Sequence, residues 1–195
     1  EPVSGGVAIA LDRPWEGPAN GPAAVLGHGD RYLMYYRAMT LAPGDDSGVL
    51  CVAVSEDGAT WEKPELGLVQ RDGKETNIAA DDDGALHMAI PWRDEGPGVP
   101  DCERIKALAS ETVDGEKHTA FKDPKGPKRL VMWGSQDGFR FRRLDPQPEI
   151  VSELNNCFDG GNTMFWSEAE RAWLLYYRFM DGYRTIARTS SADFR

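Results

Sequence analysis

Apolar and aromatic residues along the chain fall in short runs separated by polar, glycine-rich stretches. Tyr32-Leu33-Met34-Tyr35-Tyr36-Arg37 recurs as Trp173-Leu174-Leu175-Tyr176-Tyr177-Arg178, each copy preceded by a charged, turn-like stretch and followed by a Met two positions after the Arg. Rich in aromatics and free of Pro and Gly, both predict strands. Further strands are predicted at Pro22 to Leu26, Val49 to Val54, Arg104 to Ala109, Leu130 to Trp133, Thr163 to Trp166 and Ile186 to Thr189. Helix signals are nearly absent. Ser167 to Arg171 alone holds local helix formers, and it is too short to be more than a turn.

The punctuation repeats as well. Val49 to Val54 leads into Ser55-Glu56-Asp57-Gly58-Ala59-Thr60-Trp61, and Leu130 to Trp133 leads into Ser135-Gln136-Asp137-Gly138-Phe139-Arg140-Phe141. A degenerate third copy, Ser190-Ser191-Ala192-Asp193-Phe194, lacks the glycine. Gly tolerates the positive φ of a tight turn, and Asp can bond its own turn amides, so each copy predicts a turn between strands. The order strand, turn, aromatic strand, loop, apolar strand, Asp-Gly turn and short aromatic strand, repeated three times with variable loops, describes a four-stranded antiparallel blade. The expected fold is therefore an all-β propeller, with blades over roughly 16–70, 71–148 and 149–195. A sandwich would also supply many short strands but would not repeat the same punctuation once per four strands. The aromatic strands begin at residues 32 and 173, or about 70 residues per blade if one lies between, longer than the roughly 40–50 of common propeller repeats. Long loops account for the excess, above all Pro91 to Lys128. Closed propellers need about four blades or more, so three imply an incomplete ring, completed by further blades or by copies associating with one another.

Composition narrows the function. The 195 residues carry 22 Lys and Arg against 32 Asp and Glu, a net charge of −10 that repels a phosphate backbone and excludes nucleic acid as a partner. No apolar run approaches the roughly 20 residues of a membrane-spanning helix, so no membrane partner is expected. Cys51, Cys102 and Cys157 are odd in number and widely spaced, giving neither a disulfide framework nor a zinc site. Glu1 opens the chain without a Met or an apolar signal core, as a processed mature end or an excised fragment would; the corresponding expectation is a secreted or periplasmic protein.

Phe158-Asp159-Gly160-Gly161-Asn162-Thr163-Met164-Phe165-Trp166, the two Tyr-Tyr-Arg strands, Ser55-Glu56-Asp57-Gly58 with Trp61, Lys63-Pro64-Glu65-Leu66-Gly67-Leu68 and Pro14-Trp15-Glu16 together resemble the five-bladed β-propeller glycosidase-like proteins. These are related in fold to glycoside hydrolase families 32, 43 and 68. The resemblance covers nearly the whole chain, as about the first three blades. It implies a funnel lined by the innermost strand of each blade, with acidic residues near the starts of those strands, and a carbohydrate substrate. The chain differs from the invertase-like pattern in lacking a Trp-Met-Asn-Asp-Pro-Asn-Gly opening and an Arg-Asp-Pro triplet.

Glycoside hydrolysis needs two carboxyl groups flanking the scissile bond, one protonated and one ionised. Two acids stand at the expected strand starts. Glu16 precedes the first inner strand in a Trp-Glu-Gly-Pro loop, where Trp15 could stack on a sugar ring; it could equally be a solvated loop acid. Asp159 begins the third inner strand, and Gly160-Gly161 after it would let backbone approach a ligand closely; it could also cap a turn. Asn162 and Asn77, before the third and second inner strands, could hydrogen-bond sugar hydroxyls or simply serve turns. Arg37 and Arg178 end matched strands and could bind a carboxylate or hydroxyl in the funnel, or form edge salt bridges. Trp92, Arg93, Arg104 and Lys106 belong to the long middle repeat, whose loops could carry specificity. Asp57, Asp137, Trp61 and Phe141 read as structural; the turns resemble the Asp-boxes of sialidases, which lie on the outer edges of blades.

Other chemistries have no support. His28, His87 and His118 are isolated with no HExxH, so no metal or other cofactor is expected. Asp81-Asp82-Asp83-Gly84 offers carboxylates to calcium but lacks the spaced ligand series of an EF-hand, and reads as a solvated hairpin tip. No dinucleotide, Walker or Gly-x-Ser-x-Gly motif is present. The leading expectation is thus a glycoside hydrolase-like protein. A non-catalytic carbohydrate-binding or interaction propeller and an inactive fragment of a longer hydrolase are the alternatives.

Overall fold

The computed structural model describes residues 5–39, 48–79, 86, 88–115, 126–147, 150–154 and 157–193. The aspartate run at 81–83 lies outside them. The strands are β1 (Ala19–His28), β2 (Arg31–Met39), β3 (Val49–Ser55), β4 (Gln70–Arg71), β5 (Lys74–Glu75), β6 (Trp92–Arg93), β7 (Ile105–Thr112), β8 (Lys128–Ser135), β9 (Arg142–Arg143), β10 (Ile150–Ser152), β11 (Thr163–Ser167), β12 (Ala172–Asp181) and β13 (Tyr183–Ser191). Among the described residues the only helical segment is a single 3₁₀ turn at Asp101–Glu103. All pairing among the described residues is antiparallel.

Three main sheets follow one another along the chain, in the orders β1-β2-β3, β10-β8-β7-β6 with β9 also on β8, and β11-β12-β13. The linkers contribute to the sheets they leave. Glu62 bridges to Val54 and Ile78 to Cys51, forming an interrupted fourth strand beside β3. Arg142–Arg143 and Ile150–Ser152 do the same beside β8. The first sheet thus reaches past residue 70 and the second past 148, because an outer edge left bare would expose unpaired backbone.

Strand parity explains why the apolar runs are continuous rather than alternating. On β2, Leu33 and Tyr35 point to one face and pack with Ile105, Ala107, Val131, Trp133 and Phe141 of the second sheet. Met34, Tyr36 and Ala38 point to the other face, beneath Ile9, Leu11, Trp15 and Trp61. The opposite face of the second sheet, with Leu108, Leu130 and Met132, packs on Trp173, Leu175 and Met164 of the third. Strands covered on both faces have no polar side, hence their runs of Val, Leu, Tyr and Ala. Such successive face-to-face stacking of antiparallel sheets makes the chain all-β and consistent with a propeller-like fold. The far face of the third sheet is uncovered: Phe165 and Tyr176 stack at 6.2 Å with rings 8° apart, and Ile186 is 67% exposed.

The Asp-Gly turns have one geometry. The Ser55 hydroxyl donates to Asp57 and accepts from the Gly58 amide, while Asp57 Oδ1 accepts from the amides of Ala59 (2.8 Å) and Thr60 (2.7 Å). Ser135 and Asp137 repeat this with Gly138, Phe139 and Arg140. Ser191 donates to Asp193 at 2.9 Å in the degenerate copy. The second turn also joins sheets. Tyr35 Oη donates to the Gly138 carbonyl at 2.9 Å, and Phe141 meets the Tyr35 ring edge-on at 6.1 Å. A Cβ at Gly138 would lie 2.4 Å from Leu33, so this position needs glycine for space as well as for its φ of 81°.

Burial pushes the Asp137 carboxyl up, but the Arg140 and Phe139 amides and the Ser135 hydroxyl outweigh it and hold the group below the ordinary aspartate range. A depressed folded value means that its stabilisation is complete above the unfolded value near 3.9 and is lost as pH falls below it. Asp137→Asn is therefore expected to cost about 1–2 kcal/mol at pH 7, with the gap to wild type closing below about pH 4, measured by urea unfolding across pH.

Candidate functional site

The antiparallel register sets the first residues of β1 beside the last of β2, with Ala19 opposite Met39. In the third sheet Thr163 at the start of β11 lies opposite Tyr176 in the middle of β12. We call the side from which β1 and β11 are entered the leading end. There Met39 N–H donates to the Glu16 carbonyl at 3.1 Å, and Phe158 N–H donates to the Arg178 carbonyl at 2.9 Å. Each entering segment is thus held to its middle strand, and Asn77, whose carbonyl accepts from Val52 N–H, lies beside β3 near Glu16.

In the first sheet the side chains form a closed polar network. Trp15 Nε1 donates to Asn77 Oδ1 (2.9 Å), Asn77 Nδ2 donates to Tyr36 Oη (2.7 Å) and to the Val52 carbonyl, and Tyr36 Oη donates to Glu16 Oε1 (2.5 Å). Glu16 Oε2 accepts from Arg13 N–H (2.8 Å) and from Lys63 Nζ (2.7 Å). Glu16 is fully buried, which a carboxylate tolerates only when paired and hydrogen-bonded, as it is here. Burial drives the Tyr36 hydroxyl far above its ordinary value, with Cys51 and the bond to Glu16 adding to it, so it stays protonated. Lys63 also pairs with Asp12 at 2.8 Å.

The corresponding cluster of the third sheet is more open. Asp159 Oδ2 forms an ion pair with Arg178, and both side chains keep part of their surface, 29% and 22%. Gly160 and Gly161 follow in left-handed conformations, φ 61° and 69°. Met88 packs against Gly160 so closely that a Cβ there would approach its methyl to 2.4 Å, which ties this loop to the segment leading into β6. Asn162 is buried; its Nδ2 donates to the Phe158 carbonyl at 3.0 Å, while its Oδ1 accepts no hydrogen bond among the described residues. Arg37, half-buried, lays its stem across Gly21 and touches Met39 Sδ with Nη2 at 2.6 Å.

Trp92, Arg93 and Lys106 stand elsewhere. Trp92 opposes Lys106 and Arg93 opposes Ile105, at the start of β7, so these residues belong to the far end of the second sheet. Trp92 is buried between the second and third sheets. Arg93 is exposed and pairs with Glu95, and Arg104 with Asp101. Lys106 is buried against Asp94 at 2.7 Å. The fully buried Asp94 also accepts from Gly96 N–H and from Trp173 Nε1 at 3.2 Å, joining the second sheet to the third. Tyr36, Lys63 and Asp94 escaped the sequence reading. Their partners lie 20, 47 and 79 residues away, and no local motif marks them. Among the described residues no three His, Cys, Asp or Glu gather as metal ligands would, and no helix is long and apolar enough to cross a membrane.

No family model and no curated protein matches the chain. Solved structures do. An N-acetylgalactosamine deacetylase from F. plautii, in complex with blood group B trisaccharide, superposes with a TM-score of 0.58 at 13% identity over 94% of this chain, and the likeness is one of fold. This chain spans about half of that one, 54%. A glycoside hydrolase (TM-score 0.43, 12% identity) and the GH43 β-xylosidase/α-arabinofuranosidase CoXyl43 from a compost microbial metagenome, with xylotriose (TM-score 0.34, 14% identity), each match 95% of this chain and 74% of their own.

The closed network makes a direct expectation. Tyr36→Phe removes the hydroxyl that Glu16 and Asn77 share and leaves both unsatisfied in a buried place. Unfolding in urea should show a loss of about 1–3 kcal/mol with an unchanged m-value.

Proposed function

We propose that this chain is the substrate-bearing part of a glycoside hydrolase-like, five-bladed propeller protein that binds a carbohydrate at the leading end of its inner strands. The observation that carries this reading is the Asp159 site: a partly exposed carboxylate steadied by Arg178, two left-handed glycines beside it, and a buried Asn162 oxygen with a free lone pair. Polar donors and acceptors fixed on a rigid sheet suit the hydroxyls of a sugar, which present both. The likeness in fold to a carbohydrate-complexed enzyme supports it. In the hydrolytic form of the reading Asp159 is the carboxyl group that meets the glycosidic bond and Glu16 is the second. As an ionised carboxylate Asp159 would activate water or attack the sugar, beside the Arg178 guanidinium.

A second reading, recognition without cleavage, draws on one observation. Both Glu16 oxygens already accept hydrogen bonds and the group is fully covered, so it meets a substrate only if Lys63 or Tyr36 gives way.

A panel of oligosaccharides separates the two. If the protein cleaves, reducing sugar is released by wild type, Asp159→Asn lowers kcat by about 10²–10⁴ while the protein still binds, and Glu16→Gln also lowers kcat. If it only recognises, calorimetry shows binding without release by wild type, and Asp159→Asn weakens that binding. No binding and no release by wild type would overturn both.

A further inference from the structure

Arg37 and Arg178 hold the same position in the repeat, each closing a Tyr-Tyr-Arg strand. Gly21 of the neighbouring inner strand lies against the Arg37 stem, where a Cβ would come within 2.9 Å of Cδ. Arg178 instead receives the Phe158 N–H on its carbonyl, just before Asp159. In the third sheet the acid of the entering segment, Asp159, pairs with this arginine. In the first sheet the acid before the inner strand, Glu16, is held by Lys63 instead. Arg37 is left without a carboxylate among the described residues. Its Nη2 meets only the weakly accepting sulfur of Met39, and its buried Nε has no hydrogen-bond partner. Burial accordingly works against its charge and lowers its pKa. A half-buried cation with orphaned donors is costly, and buried polar groups are otherwise almost always satisfied.

We propose that Arg37 is the docking point for an anionic substituent, a carboxylate or a sulfate ester, on the carbohydrate bound at the leading end. This rests on the carbohydrate reading and narrows it to acidic glycans. A planar guanidinium with unused N–H groups suits the paired oxygens of such a group, and a lysine would supply the charge without the fork. Gly21 is part of the device, since any larger residue would displace the arginine stem from β1.

The test compares three oligosaccharide probes by titration calorimetry: an oligogalacturonide, the same oligomer after carboxyl reduction, and a sulfated galacto-oligosaccharide. Wild type is expected to bind one acidic probe about tenfold or more tighter than the neutral one. Which of the two acidic probes binds identifies the group. Arg37→Gln should bring that affinity down to the neutral level, and Arg37→Lys should recover only part of it. Gly21→Ala keeps every charge but moves the arginine, and should weaken acidic binding alone; it serves as the decisive variant if Arg37→Gln does not fold. Equal affinity for acidic and neutral probes, or a preference that survives both Arg37→Gln and Gly21→Ala, overturns the role of Arg37 and leaves the carbohydrate reading standing. Failure of all three probes to bind wild type overturns both.

Discussion

A sheet whose strands bury side chains on both faces must be covered twice, and that constraint organises this molecule. Leu33 and Tyr35 are closed by the second sheet, Met34 and Tyr36 by the segment that enters β1, and the second sheet is closed in turn by the third. Here stacked sheets and the segments beside them keep such strands from water, because an apolar face costs roughly 25 cal/mol for every Å² left exposed. The rule also makes sense of the glycines at the contacts. Gly96 admits the Trp173 ring, and Gly134 admits Leu144, each at distances a Cβ would violate. Phe165, Tyr176 and Ile186, on the far face of the third sheet, show what the same pattern looks like with no cover.

Stacking antiparallel sheets in sequence has a second effect. In the first and third sheets the segment entering the inner strand is hydrogen-bonded to the middle strand, Glu16 to Met39 and Phe158 to Arg178. Duplicate positions can then diverge in chemistry without disturbing the fold. Glu16 has turned inward and locks Tyr36, Asn77 and Lys63 into a buried network, while Asp159 faces outward with Arg178. The buried network gives rigidity, because every partner is satisfied and loss of one strands the others. The more open cluster leaves Asp159 and Arg178 partly exposed. Asp94 with Lys106 and Trp173 shows the same inward use of an acid at the opposite end, between the second and third sheets.

Much of the architecture was readable in the chain. The repeated Tyr-Tyr-Arg strands, the Ser-x-Asp-Gly turns and the absence of helix signals depend on neighbours a few residues apart, and local backbone chemistry acts over that range. β2, β3, β7, β8, β11, β12 and β13 all lie where their apolar runs are, and the hydrogen bonds of the Asp57 and Asp137 turns follow from residues within three positions. Phe141 in the core between sheets follows from its place after the turn. A short outer strand was expected after each Asp-Gly turn, and Glu62 and Arg142–Arg143 pair there. The later pairings of Ile78 and Ile150–Ser152 were not readable, since these residues carry no strand pattern of their own and pair because β3 and β8 offer an open edge.

What the chain determined by itself was the list of acids, amides and arginines at strand starts and ends; tertiary structure decided the state of each. Glu16 and Asp159 read alike in sequence, as acids before glycine at the start of an inner strand. Only folding brings Lys63 from 47 residues away to one of them and Arg178 to the other. Lys106 and Trp92 read as candidates for substrate contact in the long middle repeat, yet folding buries both. Burial and ion pairing depend on which surfaces meet, and a contact between segments distant along the chain leaves no mark on either segment alone.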